Sequence, residues 1–436
     1  MSCHGEGPME RRIVFTTPVE KMPDYFSVWA NRRFLRYSLP VPALGLRFIK
    51  ANFPEIEVLE YPSWKQYEAE LRKGVDILGI SFYTRNGNEI PRMIELAKKY
   101  GVKEIWGGNY GILTPELARY FDRTFMGYAE EELSLAIRGE GIKHLIHPSI
   151  PTTMGFNLTP FRTVEGFLFT TRGCPFRCDF CQTPAFIKRV STIPLDTIEE
   201  VLIEYKKMGI NILFIADENF LTFRKHGEEV LSLLQKYDMS WASQTRIDNI
   251  RGRVAELKEM GMFNVMFGIE SFNEENLRQM HKRETVERIL DTIEEMSNND
   301  IYMHGNYIIG YENDTEESIK TDIERLAKMD IQSTQLTILT PFPMTPVYDR
   351  IKEHYGIFET DYSKFDTYHL TWNHPHISKE RIETLLRWGI RRCNRPSRMI
   401  EGYRKMKKLR LVGKMVKSGP VDYRLLHWIG VHPRNY

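Results

Sequence analysis

An α/β protein built from two successive strand–helix series and a helical C-terminal segment is the fold class this sequence predicts, and three observations carry it. Short apolar runs alternate with amphipathic stretches through the first third of the chain. The alternation resumes at longer spacing from Gly166, and it stops after Tyr348, where aromatics, histidines and then basic residues gather. A chain of 436 residues, 42% of them hydrophobic, can build two or three domains with sizeable cores, which excludes a disordered or fibrous protein.

In the first series the patterning predicts strands at 12–15, 57–61, 76–82, 104–106 and 124–126, and helices at 43–52, 64–73, 90–100, 115–121 and 130–138. That order is a doubly wound, Rossmann-like domain over 10–138. Ligands of such folds sit at the carboxyl ends of the strands, here Gly79-Ile80-Ser81, Gly107-Gly108-Asn109-Tyr110-Gly111 and Gly127-Tyr128-Ala129-Glu130. Glycine there lets a backbone approach a large flat or phosphate-bearing ligand. Residues 139–164 read as a linker, with His147-Pro148, Ile150-Pro151 and Thr159-Pro160 as breakers.

The second series, 165–349, has strands at 166–170, 212–216, 241–245, 265–269, 304–309 and 334–339. Helices at 195–208, 226–237, 255–260, 286–298 and 316–329 separate them. Directly after its first strand comes Cys174-Pro175-Phe176-Arg177-Cys178-Asp179-Phe180-Cys181. Three thiolates at this spacing can reach three corners of one cubane iron–sulfur cluster, leaving one iron open, as a catalytic centre requires. A zinc knuckle or three buried structural thiols is the alternative. Zinc normally takes four protein ligands, and His144, His147 and His226 lie far along the chain.

The C-x3-C-x-aromatic-C run at the head of a βα series resembles the radical S-adenosylmethionine (SAM) superfamily. The resemblance implies a partial (β/α)6 TIM-like barrel, a 4Fe-4S cluster on Cys174, Cys178 and Cys181, and SAM chelated by the open iron and cleaved to a 5'-deoxyadenosyl radical. It places Phe180 near the adenine and makes Arg246 and Glu270, both at strand ends, contacts for SAM. It also implies an electron donor such as flavodoxin or ferredoxin. The first domain looks like the cobalamin-binding domain of one branch of the superfamily, in which Ser81, Gly107, Gly108 and Thr114 would line the cofactor. The sequence departs from other cobalamin proteins after the first strand, where Thr16-Thr17-Pro18-Val19-Glu20-Lys21 replaces a D-x-H-x-x-G element; a domain that kept the fold and lost the cofactor is the other reading. Met344 also departs from the family, standing where a glycine is usual.

Net charge is +2, yet from Arg391 onward thirteen Lys and Arg stand against two acids, Glu401 and Asp422. Interleaved with Met399, Tyr403, Met406 and Leu409, this tail suits peripheral contact with an anionic membrane, or an ordinary solvated basic helix; no nucleic-acid motif accompanies it. The C-terminal segment, 350–436, opens with His354, Tyr355, Phe365, Tyr368, His369, Trp372, His374 and His376, either a cover for the barrel or core packing of a helical cap. Five cysteines do not make a disulfide scaffold, so Cys3 and Cys393 read as free thiols in a reducing cytoplasm. The leading expectation is a cytoplasmic radical SAM enzyme, cobalamin-dependent, methylating or rearranging an unactivated carbon of a large apolar small-molecule or lipid substrate. The alternatives are a cobalamin-free radical SAM enzyme and a non-catalytic metal-binding interaction protein.

Overall fold

A computed structural model describes residues 11–19, 37–38, 41–156, 162–395, 397–398, 401–402 and 404–405. The first domain contains strands β1 (Ile13–Thr16), β2 (Ile56–Leu59), β3 (Ile77–Ser81), β4 (Glu104–Gly108) and β5 (Arg123–Phe125). They form one parallel sheet in the order β2-β1-β3-β4-β5. The direction of winding reverses between β1 and β3, the switch point at which such sheets open a crevice. Helices α1 (Leu44–Asn52), α2 (Trp64–Leu71), α3 (Ile90–Lys99), α4 (Pro115–Ala118) and α5 (Glu130–Arg138) connect the strands. Two separate cores, one around Leu78, Ile80 and Phe82 and one around Ile13, Phe15 and Trp106, cover the two faces of the sheet. That two-sided burial is why the strands read as unbroken apolar runs.

The linker expectation for 139–164 needs correction. Residues Ile150–Phe156 form a strand, β6, antiparallel to β7 (Arg162–Leu168). Pro151 stands second in β6, a strand-start position where a missing N–H is tolerated, so the breaker signal misled. A short strand, Tyr37–Ser38, flanks β6. Thr159 and Pro160 lie outside the described residues.

The parallel sheet continues through β8 (Ile212–Ile215), β9 (Ser240–Gln244), β10 (Met262–Glu270), β11 (Tyr302–Ile309) and β12 (Ser333–Ile338). Six strands, β7 to β12, are parallel in sequence order, and the sheet ends at β12 on one side. After the short α6 (Thr183–Phe186) come α7 (Leu195–Lys207), α8 (Arg224–Lys236), α9 (Val254–Glu259), α10 (Glu274–Gln279), α11 (Val286–Asn298) and α12 (Glu316–Leu326). Outward side chains such as Leu213, Trp241, Val265, Met303 and Leu336 share one continuous core with these helices. Because the helices cover a single face, the other is left as the inner surface of an open, curled sheet. Then α13 (Pro346–His354) and α14 (Lys379–Cys393) follow; α14 packs on α12 and β12.

The aromatic and histidine cluster resolves toward packing. Trp372 is fully buried with Nε1 donating to Leu339 O at 3.1 Å, and His374 Nε2 sits 2.9 Å from Tyr311 O. Cys393 is a buried structural thiol directed at Ile323 O, pushed up to about 12 by burial. In the basic tail, Arg392 pairs with Glu324 at 2.5 Å, buried Arg398 donates to the carbonyls of Leu326, Met329 and Ile331, and Lys405 reaches Asp330 at 2.7 Å. Three of its cations therefore fasten the segment to the barrel. Residues 406–436 and Cys3 lie outside the described residues.

One contact ties α7 to the sheet. Gly166 faces the Tyr205 ring so closely that a Cβ would stand 2.5 Å from it, and the Tyr205 hydroxyl donates to Phe167 O at 2.6 Å while accepting from Ile150 N at 2.9 Å. Tyr205→Phe leaves both backbone groups buried without partners. Urea denaturation should show a loss of about 1–3 kcal/mol.

Candidate active site

The cysteine loop leaves β7 and is gripped at once by the end of β8. Asp217, fully buried, accepts from Thr170 N at 2.6 Å, Thr171 N at 3.1 Å and the two hydroxyls at 2.5 and 2.8 Å. Burial pushes this carboxyl up to about 6 despite those four bonds. The next residue, Glu218, accepts from Gly173 N at 2.8 Å and from the Tyr128 hydroxyl of the first domain at 2.8 Å. Asn219 then directs Nδ2 at Cys174 Sγ, 3.8 Å away. Gly173 has φ +86, a left-handed turn that glycine makes at no steric cost, and it starts the loop.

Burial raises all three thiols, and each is raised further by a neighbouring one: Cys174 by Cys178, Cys178 by Cys181 and Cys181 by Cys174. The fold has gathered them. Among the described residues no group of three or more His, Cys, Asp or Glu is disposed to hold a single metal ion. Three thiols offer one ligand fewer than a structural zinc site takes and match three corners of a cubane cluster.

Inside the motif, Asp179 is fully buried. It accepts from the Tyr311 hydroxyl at 2.7 Å and from Arg350 Nη2 at 2.8 Å, and its backbone bonds Met280 O and Val347 N. Arg350 also pairs with Glu312 at 2.7 Å. Segments more than a hundred residues apart in sequence thus hold one side of the loop.

Arg246 and Glu270 stand at strand ends, and with Lys282 their charges bear on the Cys178 thiol. Arg246 rests 4.0 Å over the Phe176 ring and donates to Lys282 O at 2.6 Å, with Asp248 and Glu284 as ionic partners. Its Nη1 is buried and has no partner. An orphaned guanidinium N–H beside the cysteine loop fits a ligand carboxylate, which SAM carries. Glu270 has φ 62 and pairs with Lys282 Nζ at 3.0 Å. Lys282 was missed from sequence, because it lies in the irregular stretch after α10 with no strand-end position to single it out. Phe180 packs on the main core at the base of the loop. Met344 is 56% exposed with φ 65, the backbone shape that explains a glycine preference there.

The carboxyl ends of the first sheet face this loop. Arg172 forks onto Glu130 at 2.7 and 3.0 Å and lies 4.3 Å over Tyr128, while the Tyr110 hydroxyl sits 3.1 Å from Thr183 Oγ1. Of the expected cofactor-lining residues, Ser81 accepts from Asn109 Nδ2 at 3.3 Å. Its register partner Gly108 has nothing within 4 Å of where a Cβ would stand, a bare strand end that fits a large flat ligand. Gly107 and Thr114 are placed otherwise. Gly107 makes room for Phe121, 2.7 Å from its would-be Cβ, and buried Thr114 bonds Thr84 at 3.0 Å. No histidine occurs between residues 10 and 138, so this domain offers cobalt no imidazole.

On the inner face of the second sheet the residues alternating with the core positions are mostly half-exposed: Phe169, Phe214, Ala216, Gln244, Asn264, Asn306, Ile308, Gln335 and Thr337. This lumen runs up to the cysteine loop. At its floor Glu165 is buried beside Thr152, and its Oε1 has no partner. Burial alone pushes Glu165 from 4.5 up to about 8.

Two outcomes follow for stability and loading. Arg350→Met should leave buried Asp179 without its cation and loosen the loop, so iron retained after anaerobic reconstitution and gel filtration should fall well below wild type. For Glu165, the folded state binds the extra proton between pH 4.5 and about 8, so stability falls as pH rises through that window. Asp217 and Asp314, each raised to about 6, act below that value. Buried His147 and His304, lowered to about 4, add stability as pH rises through 6.5 in both proteins, so the readout is the difference: the urea midpoint of Glu165→Gln should gain on that of wild type between pH 6 and 8.

Residues 168–326 match the family model of the radical SAM superfamily. An uncharacterized methyltransferase of Pyrococcus horikoshii is 30% identical over 227 residues, 51% of this chain and 50% of the relative; the chain thus spans about half the length of that curated protein. The bacteriochlorophyllide d C-12(1)-methyltransferase of Chlorobaculum tepidum is 26% identical over 341 residues, 71% of this chain and 72% of the relative. Among solved structures, the radical SAM methyltransferase TsrM from Kitasatospora setae, with cobalamin and a [4Fe-4S] cluster bound, shares the fold. Its TM-score is 0.60 at 16% identity, covering 79% of this chain and 78% of that one. With its cysteine loop at the head of six parallel strands, the matched segment, residues 168–326, is a radical SAM domain.

Proposed function

We propose that this chain is a cytoplasmic, cobalamin-dependent radical SAM methyltransferase acting on an unactivated carbon of a substrate held on the inner face of the second sheet. The observation that carries the reading is the meeting of three thiols with the orphaned Arg246 Nη1 and the Glu270–Lys282 pair. When bound, the cluster supplies the electron that opens the carbon–sulfur bond of SAM, and cobalamin supplies the methyl group.

The chain's own residues bind and orient. Arg246 Nη1 receives the carboxylate of SAM, and Glu270 accepts from its amino group or ribose hydroxyls. Phe176 and Phe180 exclude water from that end of the loop. Glu218 fixes the loop to Tyr128, so that the bare backbone at Gly108 is held facing the same space. Support for cobalamin comes from the fold shared with the cobalamin-bound methyltransferase and from the open Ser81–Gly108 edge. A large acceptor with an apolar body draws on the named substrate of the Chlorobaculum relative and on half-exposed Phe169 and Phe214. The electron comes from a flavodoxin- or ferredoxin-class donor. Membrane contact through the tail falls to its other cations, among them exposed Arg391, Arg395 and Arg404, since Arg392, Arg398 and Lys405 are engaged internally. Among the described residues no helix is long and apolar enough to cross a membrane.

A second reading keeps the SAM chemistry without cobalamin, the first domain serving as a platform; it is favoured by the use of Gly107 and Thr114 in internal packing. Anaerobic reconstitution with iron, sulfide and hydroxocobalamin, followed by desalting, separates the two. About four irons and retained cobalt per chain support the first reading, and iron without cobalt supports the second. Cys178→Ala should abolish reductive SAM cleavage under both, and cleavage that persisted in it would sink both.

A further inference from the structure

Asn219 follows Asp217 and Glu218 at the end of β8, and the three reach successive parts of the cysteine loop: Asp217 takes Thr170 and Thr171, Glu218 takes Gly173, and Asn219 meets Cys174. The first two hold backbone N–H groups, whereas Asn219 addresses a sulfur. It is 2% exposed, with Nδ2 3.8 Å from Cys174 Sγ, and it lies 45 residues away in sequence.

A carboxamide can lie either way round, and only its partners decide which end faces the sulfur. Here they do decide. The carbonyl of Phe220 can only accept, so Asn249, 3.1 Å away, turns its NH2 toward it, and the same nitrogen lies 3.0 Å from Asn219 Oδ1. The backbone N–H of Arg246 can only donate, and it meets that Oδ1 at 3.0 Å. Two donors thus converge on one end of Asn219, which fixes the oxygen there and leaves the NH2 for Cys174. The reversed amide would set its NH2 against two N–H groups and its oxygen against a thiolate, in a buried site where such mismatches are costly.

The three thiols differ in their surroundings. Cys174 accepts from the Phe176 backbone as well as from Asn219, Cys181 takes the backbone N–H and hydroxyl of Thr183, and Cys178 is acted on by the charges of Lys282 and Arg246. Of these donors, Asn219 is the side-chain amide, and it can be removed without altering the loop's own sequence.

Hydrogen bonds to cluster sulfurs are among the levers that set the reduction potential of an iron–sulfur centre. When a 4Fe-4S cluster takes one electron from a flavodoxin- or ferredoxin-class donor, which loses it, the cluster's charge falls by one and part of the added charge rests on the cysteine sulfurs. A fixed N–H aimed at such a sulfur stabilises the reduced form more than the oxidised form, and burial keeps that interaction from being screened.

We propose that Asn219 is a positioning residue that acts on the cluster through Cys174, its N–H bond to the sulfur raising the reduction potential and easing entry of the electron. This rests on the cluster reading of Cys174, Cys178 and Cys181, and it is independent of cobalamin and of the methyl acceptor. The brace on Arg246 N also joins the sulfur contact to the residue assigned to the SAM carboxylate.

The test uses the full-length protein, reconstituted anaerobically with iron and sulfide and studied without SAM, so that altered SAM binding has no part in the result. In redox titrations followed by electron paramagnetic resonance, Asn219→Leu should hold about four irons. Its reduced fraction at a fixed solution potential should fall about tenfold, a shift of about 59 mV to more negative potential for this one-electron couple. That is the size expected for one hydrogen bond to a charged group. A second readout needs no stable variant: in wild type labelled with 15N-asparagine, pulsed spectra of the reduced cluster should show a 15N coupling. An unchanged potential in an iron-replete variant, or no 15N coupling in wild type, overturns the inference, and a variant that loses its iron leaves the decision to the coupling. Wild type that takes up no cluster overturns the cluster reading and this inference with it. A cluster that cleaves SAM normally yet keeps its potential in Asn219→Leu counts against the role of Asn219 alone.

Discussion

Two buried carboxylates hold the cysteine loop, and the arrangement of everything around it depends on them. A carboxyl without access to water either keeps its proton, as Glu165 does, or has its lone pairs filled. Asp217 fills them with the backbone and hydroxyls of Thr170 and Thr171, which aims the chain as it leaves β7. Asp179 fills them with Tyr311 and Arg350, which drags the end of β11 and the helix α13 onto the far side of the loop. The thiols lie between these anchors, on a segment too short and irregular to position itself.

How much of this was legible follows from how local each signal is. The cysteine spacing, the strand-end placing of Arg246 and Glu270 and the six parallel strands all show in short windows of sequence, because alternation and strand ends are local properties. Lys282, Tyr311 and Arg350 did not show, since their roles come from partners brought near only by the fold, 132 and 171 residues away in the case of Asp179. Strand β6 was hidden by Pro151, a residue that breaks a strand in its middle but not at its start. Gly107 shows the converse error. A glycine at a strand end suggested room for a ligand, and the structure fills the room with Phe121.

The inner face of the second sheet was the least legible region. Gln244, Asn264, Asn306 and Gln335 are ordinary residues in their own strands, and only register across β9 to β12 makes them one surface. Polar positions inside a barrel weaken the apolar runs by which strands are recognised, which blurs the pattern on this face.

Glu218 has one oxygen on the Tyr128 hydroxyl and the other on Gly173 N, so a single side chain belongs to both halves of the molecule. With Arg172 clamped on Glu130 directly beside it, the mouth of the cysteine loop is partly built from the first domain. A core cut free of residues 10–138 would expose Arg172 and Glu218 without their partners at the very point where the loop begins. The two halves are thus mechanically one device: a displacement of the first domain is felt as a change in loop geometry, and the loop in turn limits how far that domain can swing.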